Sequence, residues 1–117
     1  MNLPDYVIDF SADINGTCLV GEIQARYSHL EKLFGEPEEM DGYKVSGEWS
    51  FKDRTSGDVF TLYDWKSTDL YDEGLPPVEE FRSSTFIQQF NIGGKPDRIA
   101  ANEKFIGWLK TQLDKRF

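Results

Sequence analysis

Residues 43–51 carry the sequence pattern that most restricts the fold. Each odd position in this stretch is apolar or glycine, as at Tyr43, Trp49 and Phe51, and each even position is polar. Side chains alternate between the two faces of a strand, so the pattern predicts a strand with one buried face and one wet face. Such strands are typical of an antiparallel sheet that is covered on one side only.

Four more segments have the residue types and alternation of strands: 6–10, 17–24, 58–66 and 85–92. The 58–66 strand carries large side chains on both faces, since Phe60 and Leu62 point away from Val59 and Tyr63. This strand is therefore expected to be central in the sheet, or to meet a partner with its outer face.

The connection between the first two strands contains Asn15-Gly16. This dipeptide favours a tight hairpin turn, because both residues tolerate a positive φ. A helix that starts at Thr17 is the alternative for the second strand, since Leu19 and Ile23 also fit a helical stripe.

Two segments have helical spacing, residues 25–34 and a second stretch that reaches about residue 115. In the first, Tyr27, Leu30 and Phe34 lie on one face, and Gly35 stands where a helix C-cap is expected. In the second, Asp97 is the expected N-cap. The apolar stripe of this last helix is Ile99, Phe105, Ile106, Leu109 and Leu113.

The predicted order of elements is strand, strand, helix, strand, strand, long loop, strand, helix. We therefore expect a single α+β domain over residues 1–117, with one mostly antiparallel sheet of about five strands packed by two helices. The long loop, residues 67–84, is expected to be a lid, a binding loop or a disordered flap.

The chain is acidic, with 21 Asp and Glu residues against 13 Lys and Arg residues and a formal net charge of -8. Because nucleic-acid binding requires a basic face, this balance argues against direct contact with DNA or RNA. The acidity serves either solubility or imitation of a nucleic-acid backbone at a basic site of a host protein. No apolar run has the length of a membrane span and no signal pattern is evident, so we expect a soluble cytoplasmic protein.

Cys18 and His29 are the single cysteine and the single histidine. One cysteine excludes an internal disulfide, and the two residues are too few for a structural zinc site, so we predict no metal and no cofactor. No motif of a cysteine nucleophile surrounds them, and Walker, Rossmann and EF-hand motifs are absent. We therefore expect a protein that is not an enzyme.

The segment from Asn91 to Arg98 predicts the main binding site. Gly93 and Gly94 are expected to turn the chain between the last strand and the last helix, where free N–H groups and a helix N-terminus can hold an anion. Lys95 and Arg98 add positive charge there, and Asn91 can contact a base or a ribose. The alternative is that the two glycines only turn the chain.

Phe81 and Arg82 lie on the predicted long loop. An aromatic ring can stack on a base, and a guanidinium can bind a phosphate. If the last strand pairs with the 58–66 strand, we expect Phe81 and Arg82 to lie close to the predicted glycine turn. The candidate ligand-binding residues are therefore Phe81, Arg82, Asn91, Gly93, Gly94, Lys95 and Arg98.

Five short segments, in matching order, give the chain a resemblance to a family of small bacteriophage proteins. They are NGTxLxGxI at 15–23, YxxLxxxFGxP at 27–37, DGxKVxxxW at 41–49, GxVxxxYDWK at 57–66 and IGG at 92–94. The chain is similar to phage-encoded anti-Thoeris sponge proteins, which sequester cyclic ADP-ribose-type signals or cyclic oligonucleotides. The resemblance implies counter-defence in the host cytoplasm, a homo-oligomer, and a nucleotide held between protomers without cleavage. It places ligand contacts at Phe81, Asn91 and the Gly93-Gly94 segment.

A second class of function is a protein–protein inhibitor. Acidic groups could occupy a basic site on a host defence protein, such as a nuclease or a CRISPR complex. The acidic residues cluster in predicted loops, namely Glu36, Glu38, Glu39 and Asp41, and then Asp69, Asp72, Glu73, Glu79 and Glu80.

Overall fold

Six strands and three helices form the described part of the chain. The structure is a computed structural model, and it describes residues 5–39, 45, 47–65, 68 and 70–117. The elements are β1 (Tyr6–Ile8), β2 (Cys18–Ala25), α1 (Tyr27–Phe34), β3 (Glu38–Glu39), β4 (Gly47–Asp53), β5 (Val59–Tyr63), α2 (Val78–Ser83), β6 (Gln88–Gly94) and α3 (Ile99–Arg116). The predicted α+β class with one antiparallel sheet is confirmed. The short strand β3 and the helix α2 are additions to the predicted elements.

The strands lie in the order β1-β4-β5-β6-β2, with β3 paired to the start of β4. Strand β5 lies between β4 and β6, which confirms that the 58–66 segment supplies a central strand. Strands β1 and β2 lie at opposite edges, so the predicted hairpin at Asn15-Gly16 is wrong. Residues 9–17 instead cross one end of the sheet to the far edge, and Gly16, with φ 81°, turns the chain just before β2 begins.

The core is an aromatic layer between the helices and one face of the sheet, here called the helix face. The Phe105 ring of α3 stacks on Phe60 with ring centroids 4.4 Å apart, and it lies 5.1 Å from Phe51. The ring of Tyr27 in α1 packs at a tilt on Trp49, with centroids 5.7 Å apart. Each buried ring removes roughly 150–250 Å² from water, so a few of them hold the two layers together.

Strand β4 follows the predicted alternation on the helix face, where Trp49 and Phe51 are each 1% exposed. The expected wet face is wrong, because Glu48 and Ser50 on the opposite side are also buried. We call this opposite side of the sheet the outer face. Several residues of the predicted strands lie outside the described residues, namely Tyr43, Lys44, Ser46 and Lys66.

Strand β2 extends from Cys18 to Ala25, so the alternative of a helix from Thr17 is wrong. A register shift between Leu19 and Gly21 interrupts its pairing with β6. Leu19 consequently lies on the outer face and is 60% exposed, while Ile23 is buried on the helix face. Leu19 and Ile23 would share one face of an unbroken strand, but they lie on opposite faces because one extra residue reverses the alternation.

Helix α2 corrects the prediction that residues 67–84 form a single loop. Its first turn carries Glu79 and Glu80, and acidic side chains favour a helix N-terminus. Phe81 faces the core, which fixes the helix against the helix face of the sheet. Six residues give less than two helical turns, too few for a periodic pattern in the sequence.

Helix α3 has Arg98 at its N-cap position, not the predicted Asp97, and no side chain caps it by a hydrogen bond. Ile99, predicted to lie on the apolar stripe, is 68% exposed, whereas Phe105 and Leu109 are fully buried. Among the described residues, no helix combines the length and the apolar composition that a bilayer crossing requires.

Candidate functional site

Gly93 and Gly94 lie inside strand β6 and not in a turn. Strand β6 is hydrogen-bonded to β5 along one side and to β2 along the other, so neither side presents free amides at these residues. The predicted anion site in a glycine turn is therefore wrong. Close packing explains why glycine occupies both positions. A Cβ at Gly93 would overlap Thr61 Oγ1, and a Cβ at Gly94 would overlap Asn102 Oδ1.

Phe81 is a core residue and cannot stack on a ligand base. It is 2% exposed, with its ring centroid 6.3 Å from Tyr27 and 6.0 Å from Phe90. Its neighbour Arg82 lies on the helix face, with the guanidinium carbon 5.5 Å from the centre of the Tyr27 ring. The structure therefore separates these two candidates from Asn91, which lies on the outer face of β6 opposite Tyr63.

Lys95 and Arg98 follow β6 at the far end of the sheet, and both have partners. Arg98 makes a two-pronged ion pair with Asp58, in which Nε donates to Oδ1 and Nη2 donates to Oδ2, each at 2.9 Å. This pair lowers the pKa of Asp58 through the hydrogen bond from Arg98. The ammonium of Lys95 donates to the backbone carbonyl of Asn15 in the crossing segment.

A cleft of about 230 Å³ lies where residues 9–17 cross the end of the sheet. We call it the lysine cleft, and it is lined by Ala12, Asp13, Lys52, Gly57, Asp58, Val59 and Lys95. Two lysines and two aspartates line it, Arg98 pairs with Asp58 beside it, and the charge of Lys52 also acts on Asp9. The lining of the lysine cleft is therefore balanced in charge, whereas the chain as a whole has a formal net charge of -8.

Lys52 was not among the predicted site residues. It follows Ser50 by two positions on β4, and it is the cross-strand neighbour of Val59. Continuing the alternation of β4 by one step would have placed Lys52 on the outer face. Its approach to Lys95 could not be predicted, because the two residues are brought together by the strand order β4-β5-β6.

A polar row crosses the outer face of the sheet in the order Glu48, Tyr63, Asn91 and Glu22. Asn91 is 9% exposed, and its side chain hydrogen-bonds the hydroxyl of Tyr63. Burial raises the pKa of Tyr63, and the charge of Glu48 adds to this effect. The ring of Trp65, which is 44% exposed, stands edge-on to Tyr63 at 6.3 Å.

Glu48 is the most perturbed acid of the polar row. Burial, followed by repulsion from Glu38, raises its pKa to about 7. Glu38 is the cross-strand neighbour of Glu48 in the β3–β4 ladder. A carboxyl with such a pKa changes its charge near neutral pH, so this end of the polar row is neutral below that pH and anionic above it.

The polar row and the lysine cleft share the outer face. Asn91 and Lys95 are four residues apart, which corresponds to roughly 13 Å along an extended chain. Gly93 lies between these two residues and has no side chain. Strand β6 therefore places no side chain on the outer face between the ammonium of Lys95 and the amide of Asn91. The arrangement can accommodate an elongated molecule with an anionic end and a hydrogen-bonding ring.

Cys18 begins β2 and His29 lies in α1, which follows the other end of that strand; β2 spans roughly 23 Å from Cys18 to Ala25. His29 stacks on the ring of Phe117, with centroids 3.7 Å apart. Among the residues that the structure describes, no group of three or more His, Cys, Asp or Glu side chains is arranged to hold a metal ion.

No protein-family model matches the chain. A search of curated proteins also gives no match.

Proposed function

We propose that this protein binds a cyclic nucleotide immune signal and sequesters it without cleavage, as a phage counter-defence protein. The ligand belongs to the cyclic ADP-ribose-like or cyclic oligonucleotide class, and the working form is a homo-oligomer in the host cytoplasm. The observation that carries the proposal is the presence of Lys52 and Lys95 in one cleft on the same face as Asn91.

The lysine cleft supports binding of a phosphate group. Two ammonium groups line it, and Arg98 neutralises Asp58, which leaves Asp13 as the remaining acidic side chain of the lining. Its volume of about 230 Å³ is below the roughly 300–1,000 Å³ of sites that enclose a whole ligand. The cleft therefore takes the phosphate, and the rest of the ligand lies along the outer face.

The polar row supports contact with the base or ribose. The amide of Asn91 can exchange hydrogen bonds with a base edge, and the exposed part of the Trp65 ring offers a stacking surface. Glu22 repels a second phosphate at this end, as does Glu48 above about pH 7, so the ligand has a preferred direction: phosphate at Lys52 and Lys95, ring at Asn91.

Titration calorimetry tests the proposal with cyclic ADP-ribose isomers and with cyclic di- and trinucleotides. We expect one of these probes to bind and to be recovered intact, by mass spectrometry, after the protein is denatured. Lys95→Ala is expected to weaken binding at least tenfold, whereas Lys104→Ala, an exposed lysine on α3, is the matched control and should bind normally. Absence of binding by every probe, or equal binding by both variants, contradicts the proposal.

A protein–protein inhibitor is the second candidate, and one observation favours it. Acidic side chains from separate segments converge near the start of α1 and β4: Glu31 and Glu36 both act on Tyr27, and Glu38 acts on Glu48. This acidic end lies away from the lysine cleft and could meet a basic site on a host protein. Salt-sensitive capture of one host protein, lost when Glu36, Glu38 and Glu39 are changed to lysine, would support this function.

A further inference from the structure

A groove lies between α2 and the segment that leads from this helix into β6, and we call it the α2 groove. Its volume of about 380 Å³ falls within the roughly 300–1,000 Å³ of sites that hold a ligand. The buried ring of Phe81 lines it together with Pro76 and Phe86, and Phe86 is 77% exposed. The apolar surface continues at Ile87, which is 58% exposed. The α2 groove can therefore receive apolar groups from outside the chain.

Glu80 and Phe86 bring a carboxylate and an open aromatic ring to the α2 groove. Both side chains are exposed, and neither makes a hydrogen bond, an ion pair or a ring contact with another residue that the structure describes. Ser83, Ser84 and Thr85 add hydroxyl groups, and the described lining contains no lysine or arginine. A guanidinium has only hydrogen-bond donors and stacks on aromatic faces. A carboxylate beside an open ring therefore suits an arginine side chain.

The chain that leads to the α2 groove is acidic. From residue 67 to residue 81 the sequence has five acidic residues and no lysine or arginine. The described acidic residues of this stretch are all exposed, namely Asp72, Glu73, Glu79 and Glu80. Two arginines adjoin the groove without lining it: Arg26 donates its Nε–H to the carbonyl of Thr85, and Arg82 lies over Tyr27 on the helix face. This charge attracts a basic partner and repels nucleic acid and anionic lipid.

We propose that the α2 groove binds a basic segment of a partner protein. An arginine of the partner stacks on Phe86 and pairs with Glu80, and an adjacent apolar side chain of the partner lies against Phe81 and Pro76. A second copy of this chain is disfavoured as the occupant, because it would bring a formal net charge of -8 to an acidic surface. The α2 groove shares no residue with the lysine cleft or the polar row, so the proposal does not depend on nucleotide binding.

Selection from a displayed library of short random peptides, with the purified protein as the target, tests the proposal. We expect the enriched sequences to carry arginine beside a large apolar residue. One enriched peptide, labelled with a fluorophore, should then bind in anisotropy titrations and should bind more weakly at higher salt. Replacing its arginine by lysine should weaken binding, because an ammonium neither stacks nor pairs in the bidentate manner of a guanidinium.

Two substitutions in the α2 groove show whether the peptide binds there. Phe86→Ser and Glu80→Lys should each weaken peptide binding about tenfold or more. Phe10→Ser removes another exposed ring, and Asp114→Lys reverses another exposed acid, so these matched controls should bind the peptide normally. Thermal unfolding checks that every variant is folded, and nucleotide affinity should be the same in all four.

Three outcomes overturn the proposal. The first is a selection that enriches no peptide, and the second is enrichment of peptides without basic residues. The third is a peptide that binds Phe86→Ser and Glu80→Lys as tightly as the unaltered protein, because another surface would then hold it. Failure of the nucleotide proposal leaves these readouts unchanged, since all peptide measurements use protein without nucleotide.

Discussion

Glu48 faces Glu38 directly across the β3–β4 ladder, although Glu48 is almost fully buried. Two like charges opposite each other are unfavourable, and burial adds a desolvation penalty to the ionised form. Both effects act in the same direction, and burial is the larger. The free energy of unfolding should therefore depend on pH through this pair, and substitution of Glu48 can test this.

Glu48→Gln should stabilise the protein at alkaline pH only. The pKa of Glu48 is raised from 4.5 to about 7, so the stability associated with its protonated form is fully present below pH 4.5 and is lost as pH rises through about 7. Allowing for solvent screening, we expect the variant to gain roughly 1–2 kcal/mol well above pH 7 and nothing below pH 4.5. Urea unfolding at the two pH values measures this difference. Glu39→Gln, in the same short strand, is the control.

Gly93→Ala should destabilise the centre of the sheet. The added Cβ overlaps the hydroxyl of Thr61, a buried β-branched side chain with little freedom to rotate. Overpacking of this kind costs about 1–3 kcal/mol in the free energy of unfolding. Combining it with Thr61→Ala should recover part of the loss, because the overlapping hydroxyl is then absent. Purely additive losses in the double variant would show that the two residues do not interact.

Phe81→Ala should lower the free energy of unfolding by about 3–5 kcal/mol, as expected for a large ring in a packed core. Phe81→Leu keeps most of the buried volume and should lose much less. Denaturant titration measures both changes. Neither variant should alter nucleotide affinity under conditions where it is folded, and a selective loss of affinity in Phe81→Leu would return this residue to the binding site.

Arg98→Ala should lower the melting temperature at neutral pH and have no such effect in strong acid. The pKa of Asp58 is lowered mainly by its hydrogen bond with Arg98, so the pair contributes stability above pH 3.8 that is lost as pH falls through the lowered pKa. Thermal melts of the variant and of the unaltered protein at neutral pH and near pH 2 give the comparison. The difference should be smaller than for Phe81→Ala, since half of the Arg98 side chain is exposed. An equal difference at both pH values would exclude the ion pair as its cause.

Local patterns predicted most of the fold. The alternation in β4 predicted its apolar helix face but not the burial of Glu48 and Ser50 on the other face, and the two-sided bulk of β5 predicted a central strand. Both patterns can be read without knowing the neighbouring strands. The order of the strands in the sheet, by contrast, could not be predicted from local patterns. The Asn15-Gly16 turn forms, yet it ends a segment that has already crossed to the far edge of the sheet, because a turn fixes the local backbone and not the pairing of the next strand.

The candidate site was less predictable for the same reason. Gly93 and Gly94 follow an apolar strand and precede a helix, which resembles a turn, but their close neighbours Thr61 and Asn102 are distant in the sequence. Asn91 and Lys95 keep a common face, as alternation predicts. Lys52 lies near Lys95 only because of the strand order β4-β5-β6, which local patterns do not reveal. Phe81 is not part of the site, because the short helix α2 directs its side chain into the core.

Amide chemical-shift mapping with a bound cyclic nucleotide is the most direct test of ligand capture at the lysine cleft. We predict the largest shifts at Lys52, Val59 and Lys95, smaller shifts at Asn91 and Tyr63, and loss of all of them in the Lys52→Ala/Lys95→Ala double variant. Shifts centred on α2, or shifts that persist in the double variant, would contradict the proposed site.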